Sequence, residues 1–251
     1  MTRLEYKDAK GGGIVYGPTV TCVMPTRNRP ARFLASALKC FFEQDYREEM
    51  ELLVLDDSDE PALPPFKRTE KRRVRYIWED PIMGHSALGA KRNRANTKAR
   101  GQVIVHWDDD DWYTPERVSR QVEFLLEQKK QVVGYHSFLY WREADGKGFM
   151  YTDPAFRPHA GGSSMCYWKS WWKQYPFMDR QVGEDFLFAT TAKRYKELAS
   201  EDGCEMLVAR IHGSNTAHPV FGSRKFPEVP RERFPKGFLL TLEPDSDILS
   251  K

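Results

Sequence analysis

The chain has 251 residues, with 39 lysines and arginines against 36 aspartates and glutamates and a formal net charge of +3. That length suits one large α/β domain, or one domain with an extension, and affords a sizeable core, whereas the charge is too mild to argue for a nucleic-acid partner by itself. Cys22, Cys40, Cys166 and Cys204 are widely spaced with no CxxC pair, which signals neither a zinc ribbon nor a disulfide framework.

In chain order, a polar leader, residues 1–18, carries Gly11-Gly12-Gly13 and lacks an apolar signal region. Val20 to Met24 predicts a first strand and Pro25 to Pro30 a turn. Phe33, Leu34, Ala37, Leu38, Phe41 and Phe42 fall at helical spacing. Glu51 to Leu55 predicts a second strand, ending in Asp56-Asp57-Ser58-Asp59, and Pro61, Pro64 and Pro65 enforce a loop. Val74 to Trp78 predicts a third strand, Leu88 to Arg100 a strongly basic helix, and Gln102 to Trp107 a further buried strand. This alternation implies a mostly parallel central sheet flanked by helices. Beyond about residue 130 the pattern changes. Val132 to Trp141 alternates like an edge or antiparallel strand, a Gly- and aromatic-rich stretch follows, and Gly183 opens another helix. The tail after Pro219, rich in Pro, Lys and Arg, is expected to wrap the surface. No apolar stretch reaches the roughly 20 residues of a spanning helix, so a cytoplasmic setting is expected, with peripheral contact to a membrane left open.

Four consecutive aspartates, Asp108 to Asp111, follow the strand that ends at Trp107. Thr114 and Pro115 then read as an N-cap and first helical residue. The acidic cluster therefore sits between the carboxyl end of a strand and a helix, where open α/β sheets bind ligands. Carboxylates crowded this tightly repel one another, and their oxygens suit hard cations such as Mg²⁺ or Mn²⁺. The competing reading is a solvated acidic turn.

Taken together, these segments resemble a family 2 glycosyltransferase of the GT-A (Rossmann-like) fold over residues 19–218. Val20 to Pro30 resembles the opening strand and turn, Leu53 to Ser58 the acidic nucleoside-binding end of the second strand, and Gly89-Ala90-Lys91-Arg92-Asn93 the small-residue Arg-Asn segment. Asp108-Asp109-Asp110 fits the DxD motif, Gly161 to Met165 the acceptor-side segment and Gly183-Glu184-Asp185 the ED motif. The resemblance implies an α/β domain with a nucleotide-sugar-binding half, 19–130, and a smaller antiparallel acceptor half, 131–218, followed by an extension, 219–251. It implies transfer of a sugar from a nucleotide-diphosphate donor, a UDP-sugar favoured, to a glycan or other hydroxyl acceptor, with inversion.

By the same resemblance Asp110 is the direct ligand of Mn²⁺ or Mg²⁺, and Asp108 and Asp109 hold the ribose or the ion's water ligands. Asp111 belongs to a supporting shell or to the helix N-terminus. Pro25, Thr26 and Arg27 line the base pocket, with Arg27 standing where an aromatic is frequent. Asp57 accepts from the base, while its neighbour Asp56 could as easily cap the loop. Lys91 and Arg92 reach the base or the diphosphate. Asp185 is the candidate general base, against the reading that Glu184 and Asp185 merely favour a first helical turn. His212 and His218 stand near the diphosphate or the metal, or are structural. His106 reads as packed. Trp168, Trp171 and Trp172 form an acceptor platform or belong to the core.

Other classes fit less well. A nucleotidyltransferase of similar fold carries a Gly-rich turn after the first strand, where this chain has Pro25-Thr26-Arg27-Asn28. A two-metal nuclease needs further carboxylates and histidines in a pattern that is not recognisable here. A nucleic-acid-binding module would rely on Lys67 to Arg75 and Lys91 to Arg100. The basic segments also permit a glycosyltransferase acting on modified DNA.

Overall fold

The computed structural model describes residues 6–7, 14–15, 17–63, 72–79, 87–213, 215 and 219–242. Val20–Thr26 (β1), Met50–Asp56 (β2), Arg72–Trp78 (β3) and Val103–His106 (β4) form the first half of the sheet. Every residue of β2 and β4 is buried, so these apolar runs are those of strands covered on both faces. All pairings in this half are parallel, with β1 between β2 and β4 and β3 outside β2. The register puts Thr26 opposite Asp56 and Val23 opposite His106. The turns that follow β1, β2 and β4 therefore emerge side by side at one edge.

Helices Ala31–Phe42 (α1) and Leu88–Lys98 (α2) complete the parallel units. α1 buries Phe33, Leu34, Ala37, Cys40 and Phe41, as its spacing predicts. α2 buries Lys91 and Arg92 along with Gly89, Ala95 and Asn96. Its charge is thus directed inward at the edge where the turns emerge. Arg94 and Lys98 pair with Glu79, at 2.8 and 3.6 Å, and the Arg100 amide donates to Glu51 at 2.9 Å.

The other half is antiparallel at its core. Trp112–Tyr113 (β5) is followed by Arg117–Gln128 (α3), Val132–Arg142 (β6), Lys147–Thr152 (β7), Cys166–Trp168 (β8), Lys169–Gln174 (α4), Glu184–Arg194 (α5), Leu198–Asp202 (β9) and Leu207–Ile211 (β10). β8 joins the halves, pairing antiparallel with both β4 and β6. Of the two readings of its alternation, edge or antiparallel, β6 takes the second with β7 and β8 and adds parallel pairings with β9 and β10. Its 11 residues are long enough to pair with β7, β8, β9 and β10 in succession.

Two expectations are corrected. Thr114-Pro115 is not the start of α3, because Trp112 and Tyr113 first pair with Val208 and Leu207 and hold the chain extended. The helix begins at Arg117, whose amide donates to the Thr114 carbonyl at 3.1 Å. The segment after Pro219 does more than wrap the surface. Glu228–Val229 (β11) adds to β7, and Phe238 of Lys236–Leu240 (α6) is fully buried beside Phe234, Trp141 and Trp112. Each buried phenylalanine contributes roughly 1.5–3 kcal/mol.

The four cysteines are free and buried. Burial pushes Cys40 up to about 11 and Cys166 up to about 12, so neither is a nucleophile near neutral pH. No helix among the described residues is long and apolar enough to cross a membrane.

Candidate active site

The turns after β1, β2 and β4 open into a cleft of about 650 Å³, within the range of small-molecule sites. Pro25, Thr26, Arg27, Asp57, Lys91, Arg92, Asp108, Asp109, Asp110 and Asp185 all line it. The sequence thus located the cleft residues on five separate segments.

At the β2 end the two neighbouring aspartates part company. Asp56 is fully buried and closes its own loop, accepting from the Ser58 amide at 2.8 Å, the Ala62 amide at 2.9 Å and the Tyr76 hydroxyl at 2.5 Å. Asp57 faces the cleft and pairs with Lys91 Nζ at 2.5 Å, while Lys91 also donates to the Thr26 carbonyl at 2.6 Å. Burial lowers the Lys91 pKa, and Asp57 works against that shift. The Pro25 side of the cleft thus carries a hydrogen-bonded Asp57–Lys91–Thr26 arrangement.

The four consecutive aspartates point in different directions. Asp108 faces Arg92, at 3.5 Å. Asp109 and Asp110 face Arg29: its Nε lies 2.9 Å from Asp109 Oδ1 and its Nη2 lies 3.1 Å from Asp110 Oδ2. Asp110 Oδ2 also lies 3.0 Å from His212 Nε2 and accepts from Asn215 Nδ2 at 3.4 Å. Phe33 stacks on the His212 ring at 4.5 Å. Asp111 turns away and accepts the Arg210 amide at 3.1 Å, pinning β10. That places it in a supporting role and not at a helix N-terminus. Burial, then the neighbouring Asp110, pushes Asp109 up to about 6 against the pull of Arg29. Burial with Asp110 and Asp108 holds Asp111 well above the carboxylate range. The solvated-turn reading does not describe these side chains: Asp109, Asp110 and Asp111 are all buried.

Among the described residues no group of three His, Cys, Asp or Glu side chains is arranged as a metal site. The donor chemistry nevertheless fits a hard divalent cation. Asp109 Oδ2 is buried without a hydrogen-bond partner, and the Asp110 carboxylate and His212 Nε2 are in contact, an oxygen–nitrogen set suited to Mn²⁺ or Mg²⁺. His218 lies outside the described residues.

The opposite wall is the start of α5. Gly183, at φ +82°, turns the chain into the helix in a region glycine enters without strain. Glu184 is buried and accepts from Arg92 Nε at 3.2 Å, and burial raises its pKa. Asp185 is partly exposed to the cleft, and its Oδ1 accepts the Phe186 amide at 2.8 Å. Gly162 lies directly behind it, since a Cβ there would sit 2.5 Å from Asp185 Oδ2. Arg92 thus ties Asp108 on one wall to Glu184 on the other. His106 is packed as read, its Nδ1 2.7 Å from the Gly162 carbonyl and 3.1 Å from Arg92 Nη1, and burial with Arg92 lowers its pKa far enough to keep it neutral. Beneath them the fully buried Arg117 donates to the Ser163 carbonyl at 3.0 Å and the His106 carbonyl at 3.3 Å.

Of the two readings of the tryptophans, platform or core, the core one describes them. Trp171 and Trp172 are core residues packed with Phe177 and Phe188, Trp168 packs partly buried against the same cluster, and Trp172 Nε1 donates to Asn93 at 2.8 Å. The aromatic wall beside Asp185 is instead Phe138, Tyr140, Tyr151, Phe186 and Phe226. Phe186 is 45% exposed and stacks on Phe156 at 5.6 Å. Sequence reasoning missed this wall, since its members come from β6, β7, α5 and the segment after Pro219. It also passed over Arg29, whose partners Asp109 and His212 lie 80 and 183 residues away along the chain.

The family model described as glycosyl transferase family 2 matches residues 21–180. Over 183 residues the chain is 33% identical to the "Putative colanic acid biosynthesis glycosyl transferase WcaA" of Escherichia coli (strain K12), an alignment covering 72% of this chain and 59% of that protein. The fold is similar to that of S. aureus TarS 1–349 in complex with UDP-GlcNAc, with a TM-score of 0.59 and 16% identity over 79% of this chain and 60% of that one. It is also similar to the mannosyltransferase PcManGT from Pyrobaculum calidifontis in complex with GDP-Man and Mn²⁺, with a TM-score of 0.55 and 16% identity over 84% of this chain and 60% of that one. The chain spans about 59% of the length of the first of these relatives.

Proposed function

Because the chain belongs to glycosyl transferase family 2, we propose that it transfers a sugar, with inversion, from a nucleotide-diphosphate donor, a UDP-sugar favoured, to the hydroxyl of a glycan or similar acceptor. The observation that carries this reading is the pairing of two walls in one cleft. Buried Asp109 and Asp110 stand with His212 on one side, and partly exposed Asp185 stands on the other beside an aromatic surface. TarS and PcManGT, which share the fold, bind UDP-GlcNAc and GDP-Man with Mn²⁺ respectively, which supports a nucleotide-sugar donor and a divalent ion for this chain as well.

In this reading Pro25, Thr26 and Arg27 hold the base, and Asp57, oriented by Lys91, accepts from its ring N–H. Asp109 and Asp110, with His212, would hold Mn²⁺ or Mg²⁺, which when bound neutralises charge on the departing diphosphate. Arg92, paired with Asp108 and Glu184, orients the two walls. Asp185 takes the acceptor proton as the acceptor oxygen bonds to the anomeric carbon and the bond to the diphosphate oxygen breaks, the electron pair leaving with the diphosphate.

A thermal-shift screen of UDP-, GDP- and dTDP-sugars with and without Mn²⁺ tests the class. One nucleotide should raise the melting temperature only when metal is present, and the absence of a shift with every pair would reject the reading. The aromatic wall makes a separate prediction. Phe186→Ala, a change at an exposed ring, should raise the acceptor KM about tenfold, roughly 1.4 kcal/mol, while donor affinity stays at the wild-type value. Equal kinetics for the variant would remove Phe186 from the acceptor site.

A further inference from the structure

Arg29 touches all three side chains that the proposed cation would need. Its Nε lies 2.9 Å from Asp109 Oδ1, its Nη2 3.1 Å from Asp110 Oδ2 and its Nη1 3.2 Å from His212 Nε2. A planar fork of donors suits two carboxylates at once, and here it spans both. The side chain is 14% exposed, so these contacts are sheltered from water and only weakly screened. His212 Nε2 has one lone pair and cannot hold a divalent ion while it accepts from Arg29 Nη1, and a guanidinium this close to the carboxylates repels a second cation. Nor does Arg29 satisfy the pair fully: Asp109 Oδ2 stays buried without a hydrogen-bond partner.

The backbone around Arg29 is fixed. Asn28, at φ +48°, forms the turn, and its amide and side chain are tied to Ser58 and Asp59 at 2.7 and 3.0 Å. Pro30 starts α1 directly after. The Arg29 stem carries three methylenes before the guanidinium, within a cleft that Arg29 itself lines. An entering diphosphate would offer the guanidinium a new bidentate partner of the same charge sign as the one it leaves.

We propose that Arg29 is a built-in counter-ion that occupies the cation position of Asp109, Asp110 and His212 in the nucleotide-free protein and is displaced when donor diphosphate and divalent cation enter together. The idea rests on the metal-dependent reading above. Its consequence is ordered binding: the cation is excluded until a diphosphate is present, and the carboxylates are never left uncompensated in a buried site.

Electron paramagnetic resonance of free Mn²⁺, titrated into the full chain, tests this without measuring transfer. Wild type should take up Mn²⁺ poorly alone and well with UDP. Arg29→Met should take up Mn²⁺ without nucleotide at least about tenfold more tightly than wild type, and UDP should then strengthen its Mn²⁺ binding far less than in wild type. Arg29→Gln, neutral but polar, should behave in the same way should the methionine variant fold poorly, and Arg29→Lys should remain near wild type. If wild type with UDP binds Mn²⁺ but neither neutral variant gains any affinity without nucleotide, the counter-ion role is wrong and the metal reading stands. If wild type takes up no Mn²⁺ even with UDP, both are overturned.

Discussion

Asp185→Asn should leave donor binding within about twofold of wild type and lower transfer by roughly 10²–10⁴-fold, the usual contribution of a positioned general base. The substitution is close to isosteric. The amide oxygen can still accept the Phe186 N–H that Asp185 Oδ1 now accepts at 2.8 Å, and Gly162 still leaves room behind it. Glu184, the buried neighbour that fixes the helix start through Arg92 at 3.2 Å, is untouched. What disappears is the capacity to take a proton from the acceptor hydroxyl. Donor affinity by calorimetry and initial rates at saturating donor separate the two effects. A variant that turns over at the wild-type rate would show that Asp185 is a first-turn residue and that the proton leaves by another route. A variant that loses donor affinity equally would show a structural role.

The outcome depends on how the two walls are joined, and much of that was legible in the sequence. The apolar runs of β1, β2 and β4 are short and bounded by Pro25, Asp57 and Asp108, so both the strands and the edge from which their turns emerge follow from pattern alone. The acidic cluster and Asp57 stand out because each follows the end of a strand, whereas Lys91 and Asp185 came from the resemblance of their segments. What escaped were features decided by partners far away in sequence. β6 has the alternation of an edge or antiparallel strand, and its antiparallel pairings with β7 and β8 agree, yet it lies in the interior because β9 and β10 return to it in parallel from some 60–70 residues later. Thr114-Pro115 has the composition of a helix start, but the pairing of Trp112 and Tyr113 with β10 overrides it. The tryptophans near residue 170 read equally well as platform or core, and only packing against Phe177 and Phe188 decides between them. Arg29 was hidden for the same reason: its value comes from Asp109, Asp110 and His212, which are 80 to 183 residues away.

That long-range charge balance makes Asp110 the most sensitive single position on the donor wall. Asp110→Ala should abolish the metal-dependent part of donor affinity. A direct ligand is expected to cost more than the roughly 10–100-fold seen when only a supporting partner of a metal site is lost. The apo fold should tolerate the change. Asp110 is the largest neighbouring charge raising Asp109 and Asp111, so its removal relieves like-charge repulsion even as Arg29 and His212 lose a partner. The same titration carried through pH checks the electrostatics. A cation binds the deprotonated carboxylate, and Asp109 is pushed up to about 6 by burial and by Asp110. Wild-type Mn²⁺ affinity in the presence of a UDP-sugar should therefore be flat above about pH 6 and fall about tenfold per pH unit below it. In Asp110→Ala the second of those two causes is gone, so whatever Mn²⁺ affinity remains should hold to lower pH. A wild-type profile that stays flat well into the acid range would mean that Asp109 is not the titrating acceptor. An Asp110→Ala protein with an intact metal-dependent melting shift would move the cation elsewhere in the cleft.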